Sequence, residues 1–216
     1  MLTGFTAGLL LITVSELGDK TFFIAMCLAM RHSRRYVFLG AILALAAMTL
    51  ISVVVGHFAT FLPKQLIHYG TIVLFVGFGF KMLYDASKMP IECREKSLAT
   101  TEDCATDAER EAIEAVSQAE ANLRKKTPFA ISLEAFTLTF IAEWGDRTQI
   151  NTMVLAASNN AIGVTIGSIL GHAICCAIAV FGGRLIASRI SERTVTLIGG
   201  ILFFVFALHT WWFEKV

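Results

Sequence analysis

The chain has 216 residues, of which 56% are hydrophobic and 16% charged, and its mean hydropathy is +0.68. Soluble domains carry about 25% charged residues, so this is the composition of a membrane protein and excludes an ordinary soluble enzyme. The formal net charge of +1 is silent about partners, and nothing points to nucleic acid.

A helix of roughly 20 mostly apolar residues spans a bilayer. Six such stretches are present, at 4–30, 36–61, 66–84, 129–157, 162–186 and 195–212. No signal peptide is expected, because Met1-Leu2-Thr3 offers no basic n-region and no small-residue cleavage site follows. The five cysteines (Cys27, Cys93, Cys104, Cys175 and Cys176) form no CxxC motif and no disulfide framework, and read as apolar filler.

Span one carries "SELGDK", Ser15 to Lys20, in its middle. Arg31, Arg34 and Arg35 follow it. Span two has Gly40 and Ala44 at close-packing spacing. Span three ends in Lys81 and Lys88. The linker that follows holds ten acids from Asp85 to Glu120, then the basic run at Arg124, Lys125 and Lys126. "TDAE", Thr106–Glu109, fits a capping box, and Ala112, Val116, Ala119 and Leu123 form an apolar stripe at helical spacing, which predicts one amphipathic helix over 106–126. Span four carries "AEWGDR", Ala142 to Arg147, again at mid-span. Span five has the stripe Gly163, Gly167 and Gly171, with His172 next to it as a candidate proton relay. Span six ends in Trp211 and Trp212, which suit a membrane interface.

Of the 18 Lys and Arg, 14 fall in the connections after spans one, three and five, and only Lys64 and Lys215 on the opposite side. By the positive-inside rule those connections are cytoplasmic and both termini face away from the cytosol. Shifting the sequence by 127 positions aligns its halves without a gap for some 40 residues: Glu16, Gly18, Asp19, Lys20 and Thr21 meet Glu143, Gly145, Asp146, Arg147 and Thr148. Three spans per half, an odd number, make this an inverted-topology repeat, a plan of secondary transporters that puts the substrate at the midplane. The expected fold is an all-α integral membrane protein of six transmembrane helices in two inverted three-helix repeats, 1–85 and 128–216, joined by a cytoplasmic acidic linker, 86–127.

Ionisable residues inside a bilayer are expensive and face the bundle interior. At about 100° per residue, Glu16 and Asp19 share a helix face, as do Glu143 and Asp146, and Glu16–Lys20 and Glu143–Arg147 are i,i+4 pairs in the favoured orientation. Gly18 and Gly145 permit close helix approach or local unwinding. Four carboxylates and two cations leave a charge of −2, which one divalent ion or two protons would neutralise. That arithmetic points to exchange of a divalent metal for H+, with acids that titrate as a coupled set. The available ligands are oxygens, from Glu16, Asp19, Glu143, Asp146, Thr21, Thr148, Gln149 and Asn151. All-oxygen sites suit Mg2+, Ca2+ or Mn2+. Lys20 and Arg147 serve either to hold the carboxylates or as counter-charges and gates when the site is empty.

"SELGDKTFFIA" and "AEWGDRTQ" resemble the paired E-x-G-D-[KR]-[ST] signatures of a six-span family of Mn2+/Ca2+ transporters, the Gdt-type cation/proton exchangers of Golgi, chloroplast and bacterial membranes. "AMRHSRR", "GHAICCAIAVFGGRLIA" and "RTVTLIGGI" are similar too, and the likeness covers nearly the whole chain outside the linker. The resemblance implies a secondary transporter, not an enzyme. It would move Mn2+ or Ca2+ out of the cytosol against H+, with Glu16, Asp19, Glu143 and Asp146 as the binding acids. No permanently bound cofactor is expected; the partners are the divalent ion, H+ and the lipid bilayer, as monomer or homodimer. Eukaryotic members carry N-terminal extensions, so the expected location is a bacterial or cyanobacterial membrane.

Two other readings compete with this one. Intramembrane aspartyl proteases use G-x-G-D, but here Glu replaces the first Gly. An exporter of a small organic cation or amino acid would need an apolar pocket for a side chain.

Overall fold

The computed structural model describes residues 1–59, 61, 63–88, 107–122, 127–182 and 192–213. Runs with no proline past their first residue fold into helices, all largely apolar except the amphipathic α5: α1 (Leu2–Glu16), α2 (Lys20–Arg31), α3 (Arg34–Ala59), α4 (Lys64–Lys88), α5 (Asp107–Asn122), α6 (Pro128–Glu143), α7 (Arg147–Ser158), α8 (Ala161–Ala177) and α9 (Glu192–Phe213). Pro63 precedes α4 and Pro128 opens α6, positions where a missing N–H costs nothing. A π turn, Ile178–Gly182, continues α8. No strand occurs among the described residues.

Four helices are long and apolar enough to cross a bilayer: α3, α4, α8 with its π turn, and α9. The stretches 4–30 and 129–157 are not continuous helices. Each is two half-helices in series, of 15 and 12 residues in the first half and 16 and 12 in the second. The break falls within the motif both times, and its cause is local. Gly18 sits at φ 84° and Gly145 at φ 82°, in the left-handed region that a side-chain-bearing residue rarely adopts. Leu17 and Trp144, just before, are extended at φ −66° with ψ 113° and 111°. Asp19 and Asp146, just after, are extended at ψ 166° and 167° and stand at the N-cap of the next helix. The two turns match residue for residue.

The half-helices lie among the long ones. α1 packs along α8, and α6 along α3. Glycines set these distances. A Cβ on Gly163 would collide with the Met1 carbonyl, and one on Gly167 with the Phe5 carbonyl. Gly40 meets the Ser132 carbonyl of α6 in the same way, and Gly56 the Met153 carbonyl of α7. Helix α2 is enclosed: Thr21 through Ala29 are all buried, among α3, α5, α6 and the π turn. α4 and α9 pack on each other, with Phe75 against Phe203 and Phe80 against Phe204, and share one apolar cluster with α1, α7 and α8. Large apolar side chains on α3, α4 and α9, such as Leu39, Leu43, Val73 and Val205, are exposed, as a lipid-facing surface requires.

The linker helix forms over Asp107–Asn122 and is more than a solvated connector. Ala112 and Val116, from the predicted stripe, are fully buried in one cluster with Phe22, Phe23 and Ala25 of α2. Ala119 is half-buried, whereas Leu123, Thr106 of the capping box and residues 89–106 lie outside the described residues.

The backbone makes two glycines respond differently to substitution. The space around Gly145 is open, so Gly145→Ala meets only the left-handed penalty of about 1 kcal/mol. A melting temperature lowered by about 2–4 °C is expected, with Gly145→Asn milder. Gly167→Val must instead push α1 off α8, at about 1–3 kcal/mol. The neighbouring lipid-facing change Ile166→Val stays within about 0.5 kcal/mol. Thermal unfolding of the detergent-solubilised variants checks both; equal melting of Gly167→Val and wild type would refute the packing account.

Candidate functional site

Each motif becomes a small site because its helix stops at the glutamate. Glu16 is the last residue of α1 and Glu143 the last of α6, buried to 3% and 2% exposure. Both therefore sit at the negative end of a half-helix dipole, where a cation is favoured. A threonine two residues past each aspartate reaches back across the turn. Thr21 Oγ1 donates to Glu16 Oε2 at 3.2 Å, and Thr148 Oγ1 donates to Glu143 Oε2 at 3.1 Å. The second oxygen of each glutamate, Oε1, is buried without a hydrogen-bond partner.

The aspartates differ in detail. Asp19 Oδ1 accepts from the Lys20 N–H at 2.7 Å and caps α2. Asp146 makes no backbone cap; Thr148 Oγ1 lies 3.4 Å from its Oδ2. Gln149 closes the second turn instead, with Oε1 accepting the Gly145 N–H at 2.7 Å. Phe22 holds the equivalent place in the first half and has no such group.

The two turns come together. The charges of Glu143, Asp19 and Asp146 all act on Glu16, and Asp19 lies side chain to side chain with Asp146. Thr21, which donates to Glu16, also lies close to Glu143 of the second motif. The four acids are thus neighbours. They are not drawn into one shell: among the described residues no three His, Cys, Asp or Glu side chains converge on a single ion position.

The expected i,i+4 pairs Glu16–Lys20 and Glu143–Arg147 do not form, and among the described residues neither cation makes an ion pair with any of the four acids. The reason is the break, which puts each acid and its basic residue on different helices. The shared helix face expected of Glu16 with Asp19, and of Glu143 with Asp146, is lost for the same reason. Arg147 is instead close enough for its charge to act on Asp19, in the other motif. Lys20 and Arg147 are both half-buried beside the turns.

His172, an ionisable residue within α8, is set beside the first motif by the fold. Its Nδ1 lies 3.5 Å from Glu16 Oε1, with both side chains buried. A cavity of about 10 Å3 lies between Glu16, Thr21, Thr139, His172, Cys175 and Cys176. That is the space of one water molecule or one bare ion. Two residues here escape sequence reasoning. Thr139 is buried with its hydroxyl unpartnered, and stands one helical turn before Glu143 on α6. Its spacing from Glu143 is the available signal. Cys175 donates its thiol to the Thr13 carbonyl at 3.2 Å and ties α8 to α1, a contact that nothing in the sequence announces. Asn151 is buried to 1% with both amide atoms unpartnered.

A buried, threonine-supported carboxylate pair at two helix breaks suits ion binding. Comparison with known proteins agrees. The family model "Divalent cation/proton antiporter GDT1" matches residues 4–90 and 131–215, both halves of the chain without the linker. The GDT1-like protein sll0615 of Synechocystis is 56% identical over 214 residues, covering 98% of each chain. GDT1-like protein 3 of Oryza sativa subsp. indica is 42% identical over 217 residues, 97% of this chain and 74% of the relative. The chloroplastic PAM71-homolog protein of Arabidopsis thaliana is 39% identical over 214 residues, 96% of this chain and 59% of the relative. No solved structure matches the chain. The chain is an integral membrane transporter, not an enzyme, and belongs to the GDT1 divalent cation/proton antiporter family.

Proposed function

We propose that this antiporter carries Mn2+ or Ca2+ out of the cytosol in exchange for H+. The ion is held between the two motifs by Glu16, Asp19, Glu143 and Asp146, with Thr21 and Thr148 as hydroxyl ligands. The observation that carries this reading is the pair of matching helix breaks. Each ends at a buried glutamate with one oxygen on a threonine and the other unpartnered. Discontinuous helices of this sort expose backbone dipoles to an ion where lipid cannot reach them. An oxygen donor set suits a hard divalent cation.

The matching turns, dihedral for dihedral, support two inverted three-helix repeats, with α1–α2 and α6–α7 as the first span of each and six spans in all. So does the reciprocal packing of α1 on α8 and α6 on α3. The basic connections support termini outside the cytosol. Gln149 acts one step back, by holding the turn around Gly145. Lys20 and Arg147, unpaired with the motif acids, serve as counter-charges that approach the carboxylates when the ion has left. His172, 3.5 Å from Glu16, is the proton relay. A cavity of about 10 Å3 at Glu16 favours a bare ion over an organic cation or amino acid.

Metal flux into proteoliposomes with an internal pH dye tests this reading. Wild type is expected to move Mn2+ and Ca2+ with protons running the other way, and the ratio of rates ranks the two metals. Glu16→Gln is expected to abolish both movements. Thr148→Val removes one neutral ligand and the support of Glu143, and should weaken metal affinity about tenfold, near 1.4 kcal/mol. Full flux in Glu16→Gln would take the site away from the motifs.

A further inference from the structure

Asn151 is one of the most enclosed polar side chains in the molecule, and neither its carbonyl oxygen nor its amide nitrogen has a partner. A buried amide left so is costly and uncommon in folded proteins. The fold does not demand it. The corresponding residue of α2 is Ile24, buried at 3% within the apolar core. An aliphatic side chain therefore fits this place in a half-helix of the same design.

Its position on α7 says which side chains share its helix face. At 100° per residue, Thr148, Asn151, Leu155 and Ser158 share one face of α7. Thr148 touches Glu143. Leu155 and Ser158 border a second cavity, of about 150 Å3, between α1, α7, α4 and α9. Its polar lining is Thr3, Thr6, Ser158, Asn159, His209 and Thr210, room and hydrogen-bonding groups enough for several waters. Leu155 and Phe75, at 2% and 1% exposure, are the most enclosed residues of its lining. Along α7, Asn151 thus lies one turn from Thr148 of the second motif and one turn from Leu155 of this polar-lined vestibule, at the end of the bundle that holds the N-terminus. The matching face of α2 runs through Ile24 and Leu28, both buried and apolar.

We infer that the outward half of the ion route runs down this face of α7, and that the Asn151 carbonyl oxygen is a way-station ligand between the motifs and the vestibule, with Leu155 and Phe75 as the gate. The inference rests on the cation-transport reading above. A neutral oxygen suits this role, because it receives a partly dehydrated divalent ion without the deep trap that another carboxylate would create.

The experiment uses the full chain in proteoliposomes, with Mn2+ and Ca2+ as probes. Asn151→Leu is expected to slow flux about tenfold, while equilibrium Ca2+ binding to the purified protein stays within about twofold. It should also raise the melting temperature by about 2–4 °C, because a partnerless buried amide is replaced by an apolar side chain of similar size. Loss of flux with a lower melting temperature would make the amide a packing residue, and unchanged flux would remove it from the route; either overturns the proposal. As a second measurement, Ser158→Cys should make flux sensitive to an impermeant cationic thiol reagent added on the N-terminal side, with the unsubstituted chain as control. Insensitivity would overturn the vestibule. Glu16→Gln, run alongside, separates the two ideas. If it stops flux and Asn151→Leu does not, only this inference falls; if wild type moves neither metal, the cation-transport reading falls with it.

Discussion

One backbone conformation organises this molecule: a left-handed glycine in the middle of two apolar stretches. On an uninterrupted helix, the glutamate and aspartate of each motif would sit one turn apart, tied to a basic residue and sealed by their own backbone. With Gly18 at φ 84° and Gly145 at φ 82°, one helix ends at the glutamate and another begins at the aspartate. Helix ends leave backbone groups without partners, and inside a bilayer no water can satisfy them. Asp19 takes the Lys20 N–H, Gln149 takes the Gly145 N–H, and the threonines hold the glutamates. What stays unpartnered is one oxygen on each glutamate. The turn uses its polar side chains to stabilise itself and leaves over what an ion needs.

A turn of this kind functions only if its mate is near. The small residues of the long helices bring that about, because α1 can reach α8 only where Gly163, Gly167 and Gly171 present bare backbone, and Gly40 and Gly56 do the same for α6 and α7 on α3. Without that approach Thr21 could not lie close to both Glu16 and Glu143. Packing by glycine and chemistry by carboxylate are therefore one design. The first sets the distance across which the second acts. The enclosure of α2 completes it, since a half-helix too short to span a bilayer must be surrounded by protein along its whole length.

Much of this is legible in the sequence, for a physical reason. Apolar length, basic asymmetry and a motif repeated at fixed spacing are local or additive signals. The six apolar stretches, the acid cluster, the glycine stripe and the linker helix all come from them. The break is harder. Helical periodicity presumes continuity, so it makes Glu16–Lys20 and Glu143–Arg147 into ion pairs, and a glycine in an apolar run reads equally as a packing residue. A glutamate two residues before and an aspartate directly after Gly18 and Gly145 are the clue that the helix stops there. The pairing of His172 with Glu16, the tie from Cys175 to Thr13 and the docking of α5 on α2 depend on tertiary packing. No spacing along the chain encodes them.

The halves agree in the motifs and disagree one step away. Glutamate, glycine, aspartate, cation and threonine recur at matched positions, with matching dihedrals. Around them, His172 answers to Leu45, Thr139 to Ile12, Gln149 to Phe22 and Asn151 to Ile24. In each of these pairs one half has a polar side chain and the other an apolar one, and the polar member always lies in the second half. Two identical halves would present the ion with equivalent paths to either side and no preference between them. These four polar side chains, on the proposed reading, give the two paths unlike surroundings. On the proposed reading, the shared motifs define a single site for cation and proton, and the unshared residues around them decide through which side it empties.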